Sequence, residues 1–336
     1  MPRVPSCLTG EREGAGVHEV VAEVWRGGLV ESVHHGSVAA LGADGRTVLT
    51  VGQPTDVMFP RSANKPVQAL AMLRCGLDLP PELLALACAS HSGEDFHVAG
   101  ARRILASAGL TEDALGCTPD LPLGDEARRA HLAAGRGPAP IYMNCSGKHA
   151  AMLATCVRRG WPTGGYLDPE HPLQRATADT VAELAGEPVG AVAVDGCGAP
   201  LFGVSLRGLA AAFGRLAAAG EDTAERRVAD AMRAHPEWVG GTGRDVTTLM
   251  RRLPGAVAKD GAEGVYAVGL PDGSAAAVKI ADGAFRGRVV VLVAALARLG
   301  VDVAPLAELA EEPVLGHGRP VGAVRPALGP LPADRG

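Results

Sequence analysis

The sequence carries no surplus of positive charge. Its 32 Lys and Arg stand against 37 Asp and Glu, a net −5 at pH 7, which excludes the overall basic field that nucleic acid or an anionic membrane surface would require. It also has no apolar run near the ~18 residues of a membrane span. The longest such run, residues 289–297, is closed on both sides by Arg288 and Arg298. The opening stretch, MPRVPSCLTGEREGAGVHEV, lacks the apolar core of a secretory leader. Seven cysteines, an odd number at irregular spacing in a chain of 336 residues, do not form a disulfide framework and point to reduced thiols. No repeat of fixed period and no low-complexity linker is present. These absences together describe a cytoplasmic protein with no nucleic-acid or membrane partner.

The scarcest informative residue is lysine. Only four of the 32 basic residues are lysines, namely Lys65, Lys148, Lys259 and Lys279. A chain that uses arginine for nearly every solvated cation keeps a lysine where a permanently charged guanidinium does not serve.

Length and composition allow about two domains at roughly 150 residues each, or one large one. Short β-branched runs come first, at 19–26, 29–33 and 47–51, with a Gly-Ala-Asp-Gly turn at 42–45. From residue 63 the apolar spacing becomes helical, over 66–75, 82–88, 94–108, 147–158, 173–185, 204–218 and 224–234. Strand patterns return at 255–258, 265–269 and 275–280, followed by a helix at 288–298 and a loose tail after Arg319. This order predicts an α/β (α+β) fold. One antiparallel sheet is built from N- and C-terminal strands, flanked by helices, with a helical middle layer.

Four places carry candidate chemistry. Ser62 lies three residues before Lys65 where strands give way to the first helix, and Pro66 belongs in a helix's first turn. A serine there caps a helix; paired with a neutral amine it becomes a nucleophile. Ser90, in Cys88-Ala89-Ser90-His91-Ser92-Gly93-Glu94, reads either as part of a loop that caps the next helix or as a second reactive hydroxyl. Lys259, near the end of a late strand, is a candidate base for it. The layout follows the order of penicillin-recognising serine enzymes, but with Lys-Asp-Gly for Lys-Thr-Gly and no Ser-Asp-Asn. Cys145 and Lys148 share a helical face, and Cys197 sits in a glycine-rich loop after a short strand. They read as buried structural thiols or as three ligands of a zinc ion.

Taken together, Arg61-Ser62-Ala63-Asn64-Lys65-Pro66, the Cys88–Glu94 segment, Asn144-Cys145-Ser146-Gly147-Lys148-His149, Asp195-Gly196-Cys197-Gly198-Ala199-Pro200 and Lys259-Asp260-Gly261-Ala262-Glu263-Gly264 resemble the asparaginase II family, the Rhizobium-type L-asparaginases. The resemblance also takes in His235-Pro236-Glu237, Gly243-Arg244 and Val278-Lys279-Ile280-Ala281-Asp282-Gly283. It implies a fold like that of serine β-lactamases and glutaminases, and hydrolysis of L-asparagine to L-aspartate and ammonia. It implies catalytic pairs Ser62 with Lys65 and Ser90 with Lys259, and substrate contacts from Arg61, Asn144, His149 and Asp195. Zinc held by Cys145, Lys148 and Cys197 is implied as well, with no organic cofactor. The size of the chain suits a homodimeric enzyme. Lys279 receives no role. The implied organisation is a disordered or loosely attached N-terminus at 1–16, a single catalytic domain at 17–325 whose helical part covers about 63–250, and a tail at 326–336. The competing readings are a glutaminase or other amidohydrolase and, from another class, a non-catalytic zinc-held module that binds an amino acid.

Overall fold

The structure, a computed structural model, describes residues 18–329. The expected loose N-terminus at 1–16 and the tail beyond 329 lie outside the described residues. In chain order the elements are β1 (Glu19–Arg26), β2 (Leu29–Leu41), β3 (Thr47–Val51), β4 (Val57–Met58), α1 (Lys65–Arg74), α2 (Pro81–Ala87), α3 (Asp95–Ser107), α4 (Asp125–Ala133), α5 (Ser146–Arg159), α6 (Pro172–Ala185), β5 (Ala191–Val194) and β6 (Pro200–Ser205). There follow α7 (Leu206–Ala217), α8 (Ala224–Ala234), α9 (Pro236–Val239), α10 (Asp245–Arg252), β7 (Val257–Asp260), β8 (Val265–Gly269), β9 (Ala275–Ile280), α11 (Arg288–Arg298), α12 (Ala307–Ala310), β10 (Glu312–Gly316) and β11 (Arg319–Pro326).

The main sheet is antiparallel throughout, in the order β10-β11-β1-β2-β9-β8-β7, with β3 also paired to β2. Strands from both ends of the chain therefore make one sheet, as the pattern predicts. The junction is β2, whose Gly36–Leu41 half aligns with Ala275–Ile280 of β9. Strands β8 and β9 are buried along nearly their whole length. Their small and β-branched residues lie between α7 and α11, which both pack on them. A smaller antiparallel sheet, β4-β6-β5, stands apart. The helical middle surrounds α5, in which residues 146–156 are all buried; α2 and α3 pack against it and α8 packs on α2.

Several elements depart from the sequence pattern, each for a physical reason. Strand β2 runs eight residues beyond the expected 29–33 because β9 and β3 pair with its second half. Its Gly36 leaves room that a Cβ would take from the Lys279 carbonyl, 2.5 Å away. The expected helix at 204–218 begins only at Leu206, since Pro200–Ser205 is spent on β6. Ser205 Oγ then accepts the Gly208 N–H at 2.9 Å and caps α7. The first part of the expected loose tail, Arg319–Pro326, is instead β11, ordered by its ladder with β1. The segment leading to Cys145 is a 3₁₀ turn over Pro140–Tyr142.

Candidate active site

Ser62 does not cap the first helix. It sits in a 3₁₀ turn, Arg61–Asn64, which leads directly into α1 and has no side-chain cap. This turn packs against β7 and β8. Arg61 enters it with φ of 50°, a left-handed conformation that costs a side-chain-bearing residue roughly 1 kcal/mol or more. The surrounding contacts hold it there. Arg61 Nε donates to Asp195 Oδ1 at 2.8 Å, and Nη1 lies 3.5 Å from Glu263 Oε1.

Lys65 opens α1 and is 1% exposed. Its Nζ donates to the Ala89 carbonyl at 2.6 Å and to Ser90 Oγ at 3.0 Å. The loop that brings Ser90 there is fixed by its backbone: Ser90 N–H donates to Val239 O, His91 N–H to Asn144 O, and Ser92 N–H to Gly240 O, at 3.1, 3.1 and 2.8 Å. Behind the loop, His91 Nε2 and Ser146 Oγ are 2.9 Å apart, and burial keeps the His91 imidazole neutral, well below its ordinary value. Ser62 meets Lys65 only through the backbone, where its carbonyl accepts the Lys65 N–H; the serine hydroxyl within hydrogen-bond reach of Lys65 Nζ is that of Ser90.

Lys259 lies in β7 with no exposure. Its Nζ donates to its neighbour Asp260, to the carbonyl at 2.6 Å and to Oδ1 at 2.5 Å, rather than to Ser90. Burial lowers this amine to about 8, with the Asp260 carboxylate opposing the shift and the nearby Lys65 charge adding to it. Asp260 also accepts Arg244 Nη2 at 2.7 Å and Arg288 Nη2 at 3.3 Å. One buried carboxylate thus gathers three cations, and their charges overcome its own burial to hold it well below the usual carboxylate range. Sequence reasoning passed over Asp260; the signal was an acidic residue within a strand otherwise fit for the core.

Asn144, Cys145, Lys148 and His149 come together at the start of α5, with Cys197 and Asp195 from the loop between β5 and β6. Cys145 Sγ lies 3.0 Å from Asn144 Oδ1, and Lys148 Nζ donates to Cys197 Sγ at 3.3 Å. His149 Nδ1 meets the Tyr166 hydroxyl at 2.7 Å, a partner with no sequence signal, while its Nε2 has no hydrogen-bond partner. Burial and the Lys148 charge lower His149 to about 4. Asp195 is held below the ordinary carboxylate value because the Lys148 and Arg61 charges outweigh its burial.

The expected zinc site is corrected here. Among the described residues no group of three His, Cys, Asp or Glu side chains is placed to hold a metal ion. Cys145, Lys148 and Cys197 do converge, but as a hydrogen-bonded cluster. The Cys145 thiol is held well below its ordinary value, first by a hydrogen bond from Cys197 and then by the Lys65 and Lys148 charges. Burial alone would lower the Lys148 amine; the Cys197, Cys145 and Asp195 charges overcome it and hold the amine above the ordinary lysine range. Two thiols with no third His, Cys, Asp or Glu placed beside them among the described residues fall short of the donor set that zinc takes.

The family model described as L-asparaginase II matches residues 22–326. No curated protein matches the chain. Among solved structures, a β-lactamase from Mycobacterium bovis is 18% identical, with 79% of this chain and 95% of that one covered and a TM-score of 0.43. The protein Mglu, in its native form in 4.3 M NaCl, is 16% identical over 80% of this chain and 60% of its own, with a TM-score of 0.42.

Proposed function

The chain belongs to the L-asparaginase II family, and from that premise we propose that it hydrolyses L-asparagine to L-aspartate and ammonia with a serine and lysine at its centre. The observation that carries this reading is the buried contact between Lys65 Nζ and Ser90 Oγ at 3.0 Å. A hydroxyl within hydrogen-bond reach of an amine is the arrangement of an activated nucleophile and its base.

In the deprotonated state Lys65 takes the Ser90 proton, and the serine oxygen attacks the side-chain carbonyl carbon of the amide. The proton then passes from Lys65 to the departing nitrogen, ammonia leaves, and an acyl-serine ester remains. A water molecule, activated by the same amine, hydrolyses the ester and returns Ser90. Ser62, half-buried on the adjoining turn, supplies a second hydroxyl at the site. Lys259 contributes a buried amine that titrates near 8, close enough to neutrality to exchange a proton with this centre. Arg61 and Asp195 bind the two charged ends of the amino acid, and Asn144 and His149 line the same side.

The catalytic unit in this reading spans 17–325. Exposed Leu29, Val30, Leu315 and Val321 cluster where the β1–β2 turn meets β11 through Gly27 N–H to Val321 O; they support a homodimer, which sedimentation velocity would register as a doubled mass. The six free thiols among the described residues support a reducing, cytoplasmic setting. No helix among the described residues is long and apolar enough to cross a membrane. The substrate assignment is tested by measuring kcat/KM for ammonia release from L-asparagine and from L-glutamine. A clear preference for L-asparagine supports it, and equal or reversed values replace it with a glutaminase.

A further inference from the structure

The fourth lysine, Lys279, and the segment Val278–Gly283 have no part in the chemistry above, yet they converge on one residue, Glu263. Lys279 Nζ reaches out of β9 to donate to the main-chain carbonyls of Glu263 at 2.7 Å and Ile280 at 2.5 Å. Glu263 stands in the loop between β7 and β8 with φ of 57°, so this cation grips the carbonyl of a residue held in a left-handed conformation. Gly283, from the same segment, has no Cβ, and a Cβ there would collide with Glu263 Oε2. One residue holds the Glu263 backbone and the other leaves space for its carboxylate.

The loop is also fitted to the serine-bearing turn. A Cβ on Gly261 would lie 2.8 Å from Pro60 O and 3.1 Å from Ala63 N, which shows how closely the two segments approach. At that junction Glu263 Oε1 faces Arg61 Nη1 at 3.5 Å, while Asp195 Oδ1 holds Arg61 Nε at 2.8 Å. Arg61 is therefore flanked by two carboxylates beside the catalytic turn. The Glu263 side chain is 59% exposed and open to an incoming ligand.

We propose that Glu263 is a specificity-determining residue that accepts the α-ammonium group of the amino-acid substrate, and that Lys279 is the positioning residue that fixes it beside Arg61. This deepens the reading of the site as an amino-acid amidohydrolase and rests on it for the kind of ligand. A zwitterionic head group matches the arrangement, with its carboxylate on Arg61 and its ammonium on the flanking carboxylates. Lysine suits the positioning role because a compact ammonium on a flexible stem spans two carbonyls that a planar guanidinium does not.

The test is calorimetric binding of L-aspartate and of succinate, the same diacid without the amino group, so that no turnover is required. Wild-type protein prefers L-aspartate. Glu263→Gln removes the charge at an exposed position and reduces that preference about tenfold, the size of one charge-assisted hydrogen bond. Lys279→Gln reduces it in the same direction, a change in ratio that general destabilisation does not produce. Should Lys279→Gln fail to fold, Gly283→Ala displaces the carboxylate from the other side and lowers the same ratio. A wild type without preference, or a Glu263→Gln ratio within twofold of wild type, overturns the ammonium role. An unchanged ratio in folded Lys279→Gln, or in Gly283→Ala where Lys279→Gln does not fold, overturns the positioning role. A protein that shows the preference but releases no ammonia from L-asparagine sinks the amidohydrolase reading and leaves this one standing.

Discussion

Lys65 Nζ lies 3.0 Å from Ser90 Oγ and 2.6 Å from the Ala89 carbonyl, with the lysine 1% exposed. The lysine that touches a serine is thus a different residue from the one whose proton affinity burial has brought near neutrality, Lys259. Replacing the amine with an apolar chain of similar length separates chemistry from folding. Lys65→Met should lower kcat by about 10²–10⁴, the range of a lost general base. Stability should hold, because exchanging a buried cation for a hydrophobe is often neutral or favourable. Steady-state kinetics beside thermal unfolding checks both.

Lys259 sets a pH dependence of defined sign. Its folded value is about 8 against an ordinary 10.5. Below pH 8 the folded state carries the buried charge and its full cost. Between about 8 and 10.5 the folded protein has released this proton and the unfolded chain still binds it, so this group raises stability as pH rises. Urea unfolding as a function of pH should show that rise in wild type and its loss in Lys259→Met. If Lys259 exchanges protons with the active centre, kcat/KM should climb through an acid limb near pH 8.

Asp260 binds Lys259, Arg244 and Arg288 at once. Asp260→Asn keeps the shape and removes the charge, leaving three cations close together in the core. The expected cost is about 3–5 kcal/mol, as for a broken buried ion pair, read from denaturant midpoints. The acid limb should also move to lower pH, since the carboxylate is what opposes the downward shift of Lys259.

The Tyr166 hydroxyl accepts the Gly116 N–H at 2.9 Å and meets His149 Nδ1 at 2.7 Å. Tyr166→Phe strands both groups in a buried setting. A loss of about 1–3 kcal/mol should follow, measurable by chemical denaturation.

Asp195 holds Arg61 Nε at 2.8 Å. Asp195→Asn should raise KM for L-asparagine about tenfold, the cost of one charge-assisted contact, with a smaller change in kcat. An equal fall in kcat and in kcat/KM, with KM unchanged, would assign Asp195 to the transition state instead of to substrate binding.

What the sequence revealed, it revealed through local periodicity and residue chemistry. The short apolar runs at 265–269 and 275–280 became β8 and β9 because a brief, nearly continuous apolar run closed by turn residues is how a strand buried on both faces reads. Lysine scarcity singled out Lys65 and Lys259 because the two cations differ in whether they can lose a proton. The pairing of those lysines was hidden, since it depends on where distant loops meet. Three spacings of one residue cannot show that Lys65 reaches Ser90, 25 positions away, or that Lys259 turns to its own neighbour. The zinc expectation read Cys145, Lys148 and Cys197 as ligands; their proximity is real, but among the described residues it is a hydrogen-bonded cluster without a metal-holding group. Strand β11 was invisible because its order comes from β1, nearly three hundred residues earlier.

The central claim is that Ser90 and Lys65 together break an amide bond. The most direct measurement is the rate of ammonia release from L-asparagine by wild type and by Ser90→Ala, each confirmed as folded. The account predicts turnover by wild type and a fall of at least about a thousandfold in the variant, as for loss of a nucleophile. Wild-type rates in Ser90→Ala, or no release of ammonia by the wild type, would contradict it.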